Sequence, residues 1–481
     1  MPHSAHDRSP VRSTKIVATL GPASQSAEMV RALIEAGADV FRINGSHGDH
    51  ETHKATIALV REQAMLVGKS VGVLFDLQGP KIRIGKFEGP ARKVSAGEEF
   101  DLAVGRAPLP GELPTDYALL DKDVKVGHPL LINDGSLASE VIEVEPGRVR
   151  CRAKHEGEIA PRKGINLPKS IVSAPAITDK DRQDALFAVS QGVDMIALSF
   201  VRRADDVLQL RALLAGAGAQ TPIISKIEKP QALDNLDEIL QVSWGVMVAR
   251  GDLGVELSPE DVPMAQKQII RAANAYARPV ITATQMLDSM TRHPRPTRAE
   301  ASDVANAVLD GTDAVMLSQE TAAGLYPVES IEMMVKIIHA TEKMQAHDRV
   351  VKNNAMLTEG IPEAVAEAGC EVAALLGAKS IVVFTETGRM AIYTSQRRPR
   401  TPIMAFAREP AVRNRLCLVW GVKPLLAKSS DTIEDRMRQM ETVLSHSGYV
   451  EAGDRLVLLV GAPNAPSGST NVMMVHRIGG E

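Results

Sequence analysis

The 481-residue chain has few cysteines, no excess of one charge and no long apolar run. Its cysteines, Cys151, Cys370 and Cys417, are odd in number, and none stands in a Cys-x-x-Cys or other metal-binding spacing. That argues against a disulfide framework and a zinc site, and reduced thiols in the cytoplasm are expected. A formal net charge of -4, with acids and bases mixed along the chain, gives no support for a nucleic-acid partner. Nowhere is there the run of about 18 apolar residues that a membrane-spanning helix needs. The polar opening, MPHSAHDRSPVRS, lacks the apolar core of a signal peptide or membrane anchor, so residues 1–12 are expected to form a loose tail. Low-complexity segments and solenoid repeats are also missing.

What remains is an ordered alternation. At about 150 residues per domain the length predicts about three domains. Short β-branched runs alternate with amphipathic stretches: TKIVATL (14–20), DVFRIN (39–44), SVGVLFD (70–76), DMIALSF (194–200), PIISKIE (222–228), WGVMVAR (244–250), PVITATQ (279–285) and DAVMLSQ (313–319). SAEMVRALIEAG (26–37) has a Ser cap and a terminal Gly and reads as a helix, as do the stretches ending near residue 67 and spanning 327–345. Eight strands in βα alternation are the number that closes a (β/α)8 TIM barrel, an α/β fold.

The rhythm is interrupted between residue 86 and about 170 by Gly/Pro turns and short strands. Asp134-Gly135 and Pro146-Gly147 have the composition of hairpin turns. From about 347 a second α/β unit with an open sheet is expected, with strands SIVVFTE, TPIMAFA, VKPLLA, DRLVLLVG and VMMVHRI. The expected division is a barrel of 13–79 and 176–346, an inserted β-rich lid of 80–175, and a C-terminal α/β domain of 347–481.

Barrel enzymes carry their chemistry at the C-terminal ends of the strands. Here those ends hold Arg42, Asn44 and Ser46; Asp76, with Lys81 and Arg83 beyond it; Lys226 and Glu228; Arg250, Gly251 and Asp252; and Thr284. Residues two apart on a strand share a face, so Arg42 points with Asn44, and Lys226 with Glu228. Charges on an inner face need a partner or a ligand. Glu228 and Asp252 suit Mg²⁺, which takes few protein carboxylates and fills its octahedron with substrate oxygens and water. Lys226, Arg42 and Arg83 suit a phosphorylated substrate. The turn at Gly251-Asp252 presents N–H groups to a carboxylate. Singly, each feature has a structural explanation: Arg42–Asp76 and Lys226–Glu228 as ion pairs, GDLG and Asn44-Gly45 as turns, Thr284 as a strand-end hydroxyl. Their coincidence at one end of five strands favours a site.

The stretches TKIVATLGPAS, FRINGSHG, FDLQGPKIRIG, SKIE, VMVARGDLGVE, ATQMLDSM and RPTRAEASDVANAVLDGTDAVMLSQET, in this order over nearly the whole chain, resemble the pyruvate kinase family. The resemblance implies phosphoryl transfer from phosphoenolpyruvate to ADP, giving pyruvate and ATP. It implies that the insertion is a small β-barrel lid, hinged near Pro80 and Pro175, that closes to exclude water. By the same resemblance Glu228 and Asp252 bind Mg²⁺ (or Mn²⁺), Lys226 lies against the transferred phosphoryl group, and Arg42 holds the phosphate. The N–H groups of Gly251 and Asp252 and the Thr284 hydroxyl hold the carboxylate. Asn44, Gly45, Ser46, His47, Arg83 and Lys180 contact the nucleotide phosphates, and a second Mg²⁺ arrives with the nucleotide. Thr284 also lies near the face on which the enolate is protonated, through water. A homotetramer is implied too.

Lys81 departs from many members, which carry an acid there and require K⁺ at residues matching Asn44, Ser46, Asp76 and the Leu77 carbonyl. Lys81 is expected to supply a built-in cation near that spot, with Asp76 as its counter-charge, making K⁺ unnecessary. Gly45 stands where the family has a bulky apolar residue, which bears on packing. Gln319 stands where a Gly is usual, and nothing in the sequence explains it. In the second α/β unit, Thr385, Thr387 and Gly388 are expected to cradle a phosphate at a helix N-terminus, with Arg389, Arg397, Arg398 and Arg400 as sources of charge, the alternative being an ordinary strand–helix turn. A sugar monophosphate or AMP is the expected effector. Two other functions were weighed: a Mg²⁺-dependent barrel lyase or aldolase acting on pyruvate, and a non-catalytic phosphometabolite sensor. The lyase would not need Lys226 beside the metal, Lys180 or a lid, and the presence of all the proposed catalytic residues counts against the sensor.

Overall fold

The structure, a computed structural model, describes residues 12–345, 360–428, 432–461 and 470–479. Eight parallel strands close one barrel: β1 (Lys15–Thr19), β2 (Val40–Asn44), β3 (Gly72–Asp76), β4 (Met195–Leu198), β5 (Ile223–Ile227), β6 (Gly245–Ala249), β7 (Val280–Ala283) and β8 (Ala314–Leu317). Each lies inside one of the eight runs named above. Strands covered by helices are buried on both faces, which is why they read as continuous apolar runs. Alternate residues feed two cores. Val17, Leu74, Ile224, Met247 and Met316 fill the barrel, while Ile16, Phe75, Ile227, Val248 and Val315 meet the helices. The helix Ala27–Ala36 begins where expected, with Ser26 Oγ accepting from the Met29 N–H, and ends on Gly37.

The insertion is a six-stranded sheet plus a two-stranded ribbon, built about a core that includes Leu102, Leu130, Val141 and Val149. Both expected hairpins form: Ile132 pairs with Leu137 around Asp134-Gly135, and Glu145 with Arg148 around Pro146-Gly147. The chain just past Pro80 belongs to this unit. The Ile84 N–H donates to Lys163 O (2.8 Å), and the Ile165 N–H to Ile82 O (2.8 Å). At the other junction Arg202 clamps the returning chain through Val172 O (2.5 Å) and Ala174 O (3.0 Å).

The C-terminal unit holds β9 (Ser380–Thr385), β10 (Ile403–Ala407), β11 (Val422–Leu426), β12 (Arg455–Val460) and β13 (Val472–Arg477), in the order β11-β10-β9-β12-β13 with only β13 antiparallel. Its Cys417 and Leu418 join the barrel's inner core from the end opposite the strand C-termini. Lys15 Nζ donates to Val422 O (2.8 Å) across the same seam. Residues 1–11 of the expected tail and the boundary at 346/347 lie outside the described residues. Arg12, the last residue of that expected tail, is held by Asp39 at 2.6 Å.

Candidate active site

The strand ends bring four charges into one alternating line. Arg42 Nε donates to Asp76 Oδ2 (2.7 Å), and its Nη1 to Thr19 Oγ1 (3.2 Å). Lys226 Nζ lies 3.4 Å from Asp76 Oδ1 and 2.9 Å from Glu228 Oε1. Both structural ion pairs foreseen from the sequence therefore exist, but as links of one network. Asp76 and Glu228 are almost wholly buried. Burial pushes against the Asp76 carboxylate, yet Lys226 and Arg42 overcome it and hold its pKa below the ordinary value. Burial likewise disfavours the Lys226 ammonium, but Asp76 and Glu228 outweigh it and keep its pKa above that of a free lysine. At neutral pH Lys226 is a fixed cation.

Glu228 differs. Burial, reinforced by the Asp252 carboxylate, raises its pKa against the pull of Lys226. Its Oε2 accepts from the Phe200 N–H (2.6 Å), while its buried Oε1 has only the Lys226 ammonium beside it, at 2.9 Å. A carboxylate oxygen has two lone pairs, so this one can take a further ligand beside Lys226. A second carboxylate, Asp252, close enough to repel it fits a hard divalent cation. Among the described residues no group of three or more His, Cys, Asp or Glu side chains is placed to hold a metal. An ion held by these two carboxylates would share its coordination with non-protein oxygens.

The helix Arg250–Glu256 starts directly at the end of β6. The Gly251 N–H donates to Thr284 Oγ1 (2.8 Å), which itself donates to Ala283 O (2.7 Å). A substrate carboxylate at Gly251 must replace that hydroxyl as acceptor. Thr284 and Gln285 both have left-handed backbones, φ 68° and 55°. The buried Arg250 stabilises this turn through Thr284 O (2.6 Å) and is anchored by Asp303 (2.7 Å).

On the β2 loop the Ser46 N–H donates to Asn44 Oδ1 (3.1 Å), and His47 is exposed. Lys180 is already engaged: its Nζ donates to Gly45 O (2.6 Å) and pairs with Asp184 (2.5 Å). It holds the loop in place. Gly45 is required by space, since a β-carbon would come within 2.9 Å of Asp76 O and 3.0 Å of the Phe75 ring. Arg83 lies half-buried in the first lid segment, opposite Gly164. Gln319 is exposed, and its choice there has no structural explanation.

Two expectations need correcting. Asp76 is not the counter-charge of Lys81, because Arg42 and Lys226 match it. Lys81 reaches Asp134 (3.7 Å) and Asp252 (3.9 Å) instead. Of the other residues expected around K⁺, the Leu77 carbonyl accepts from Ser199 Oγ (2.7 Å). In the C-terminal loop the Gly388 N–H donates to Thr385 Oγ1 (2.8 Å), so part of the expected cradle is satisfied internally. Arg397 pairs with Glu367, and Arg400 is exposed. Arg398 is buried against the barrel, on Asp313 (3.1 Å) and Gly311 O (2.8 Å). Arg389 faces a cleft of about 600 Å³ between this domain and the barrel, together with Thr387, Arg211, Arg278 and Arg415.

Sequence reasoning missed three parts of the site. Ser199 takes a hydrogen bond from Lys226 (2.7 Å); its position at the end of β4 was the available signal. Arg250 was noted at a strand end but given no task. The pair Asn166–Glu256 (3.0 Å), which ties lid to barrel, has no sequence signal.

A lidded (β/α)8 barrel with this charge network at its mouth suits a phosphotransferase. The model of the pyruvate kinase barrel domain matches residues 11–331, and that of the pyruvate kinase alpha/beta domain matches residues 363–476. A pyruvate kinase of Sporosarcina psychrophila is 43% identical over 475 residues, 98% of this chain and 81% of the relative. Pyruvate kinase 2 of a Synechocystis species is 44% identical over 472 residues, 97% of this chain and 79% of the relative. The crystal structure of a pyruvate kinase from Cryptosporidium parvum superposes with a TM-score of 0.91 at 36% identity, covering 97% of this chain and 96% of the other. The chain belongs to the pyruvate kinase family. Its reaction is phosphoryl transfer from phosphoenolpyruvate to ADP, and the lyase and sensor readings receive no support.

Proposed function

We propose that the residues at the barrel mouth divide this reaction among them as follows, with the half-buried Lys226 between Asp76 and Glu228 as the observation that carries the reading. Glu228 and Asp252 hold Mg²⁺, or Mn²⁺. Bound there, the divalent cation supplies positive charge to the phosphoryl and enolate oxygens. Arg42 binds the phosphate of phosphoenolpyruvate, and Gly251, Asp252 and Thr284 its carboxylate. Lys226 neutralises the equatorial oxygens of the phosphoryl group in transit, which needs positioning and charge more than covalent help. Asn44 to His47 and Arg83 orient the ADP phosphates, Lys180 supports their loop, and a second Mg²⁺ comes with the nucleotide. The enolate carbon takes its proton on the Thr284 side, through water. ATP formation from phosphoenolpyruvate and ADP with Mg²⁺ tests the whole; no turnover overturns it. A cytoplasmic homotetramer completes the proposal, and the three free cysteines favour that compartment.

Lys81 makes the enzyme independent of K⁺, as a fixed cation beside Asp252 (3.9 Å). Full activity is expected in K⁺-free buffer. Lys81→Glu is expected to lower K⁺-free activity by about a hundredfold, with recovery on adding K⁺. An active Lys81→Glu enzyme indifferent to K⁺ contradicts the assignment.

The effector, a sugar monophosphate or AMP, binds in the cleft where Thr387 and Arg389 meet Arg211, Arg278 and Arg415. Burial and the neighbouring Arg389 and Arg211 charges lower the Arg278 pKa, so positive charge is crowded in this cleft. Such phosphates are expected to raise the rate at subsaturating phosphoenolpyruvate. Arg278→Ala should remove that response and leave the unstimulated rate within about twofold. A flat response of the unmodified enzyme to the whole panel refutes the site.

A further inference from the structure

Lys81 lies on the lid side of the hinge. Gly79, with φ 71°, makes the turn, and a β-carbon there would strike Ser199 and Phe200 at 2.9 and 2.8 Å. Two residues later the chain is committed to the lid, through the backbone bonds of Ile82 with Ile165 and of Ile84 with Lys163. The Lys81 stem crosses the face of Gly164, where a β-carbon would lie 3.0 Å from Cε. Gly164 O in turn accepts from the Asn133 N–H (2.9 Å) at the tip of the hairpin that carries Asp134. Stem, seat and counter-charge thus form one piece of the lid. On the barrel side are Asp252 and the helix Arg250–Glu256, where a β-carbon on Gly135 would touch Val255 at 3.9 Å.

We propose that Asp134 and Gly164 are positioning residues that seat Lys81, so that the fixed cation rides on the lid and reaches Asp252 only when the hairpin rests on the barrel. A diffusible ion would occupy its site with the lid open or closed. Here the charge is completed by closure itself, and closure and the cation become one event. Asp134 acts by attraction across 3.7 Å, and Gly164 by leaving room for the stem. The proposal rests on Lys81 being the built-in cation.

A double-mutant cycle tests it. Asp134→Asn is at an exposed hairpin tip and leaves the core untouched. In the Lys81 enzyme it is expected to lower kcat/KM for phosphoenolpyruvate about tenfold, in K⁺-free buffer of matched ionic strength. In a Lys81→Met background, assayed with K⁺, it is expected to change kcat/KM by less than about twofold. Gly164→Ala, at a residue with an ordinary backbone, should reproduce both results. Equal losses in the two backgrounds, or no loss in the Lys81 enzyme, overturn the seat. The K⁺ response of Lys81→Glu reports separately on the cation reading, so the two failures are distinguishable.

Discussion

Lys226→Met is expected to lower kcat by about a thousandfold while leaving the binding of phosphoenolpyruvate within about tenfold. The ammonium sits between two buried carboxylates and donates to Ser199, so it is held before substrate arrives. A preorganised charge of this kind acts mainly where negative charge develops, which is the phosphoryl group between its two oxygens. Methionine keeps the volume and removes the charge. Asp76 retains Arg42 at 2.7 Å, but Glu228 loses its nearest cation. A lower melting temperature is therefore also expected, since a broken buried pair costs about 3–5 kcal/mol. Stability and mechanism separate in a second assay. On the proposed assignment, exchange of the pyruvate methyl protons with solvent uses the enolate side of the site and not Lys226. It should survive in the variant with Mg²⁺ present. Loss of exchange in step with phosphoryl transfer would mean that Lys226 serves the whole site and not the transferred group.

Glu228→Gln is the other large effect. The substitution keeps the shape and removes the charge of a buried residue whose Oε1 faces the Lys226 ammonium at 2.9 Å. If that oxygen is a metal ligand, Mn²⁺ affinity measured by calorimetry should fall about a hundredfold, and kcat/KM about a thousandfold. Removing an anion beside Lys226 and Asp252 also relieves repulsion from Asp252. Replacing a purely structural carboxylate would instead lower the melting temperature, through the lost Lys226 pair, and leave metal binding unchanged. That pair of results would rule out the ligand assignment.

Much of this was legible because it is local. A strand buried on both faces prints a continuous apolar run, and a period of two places Arg42 with Asn44 and Lys226 with Glu228 before any fold is known. The line of charges follows once eight strands close. What was not legible depends on where long side chains go after the strand ends. Lys81 was assigned to Asp76 because the resemblance puts Asp76 at the K⁺ site and the two residues flank one turn. The pairing of 82–84 with 163–165 instead carries it to Asp134. Arg398 was counted with the loop beside it, yet it crosses to Asp313, 85 residues away. Ser199 and Asn166 acquire their roles from partners on other elements, and no motif announces either.

The chain has two tryptophans. Trp244 lines the cleft with Arg278 and Thr387, and the Trp420 ring lies 4.9 Å from the guanidinium carbon of Arg398. Both indoles therefore stand at the seam between the barrel and the C-terminal domain, and neither is at the mouth or in the lid. Intrinsic emission excited at the red edge is in effect a built-in gauge of that seam. A spectral change on adding a sugar phosphate would report local occupancy. The same change on adding phosphoenolpyruvate would show a signal crossing the full depth of the barrel.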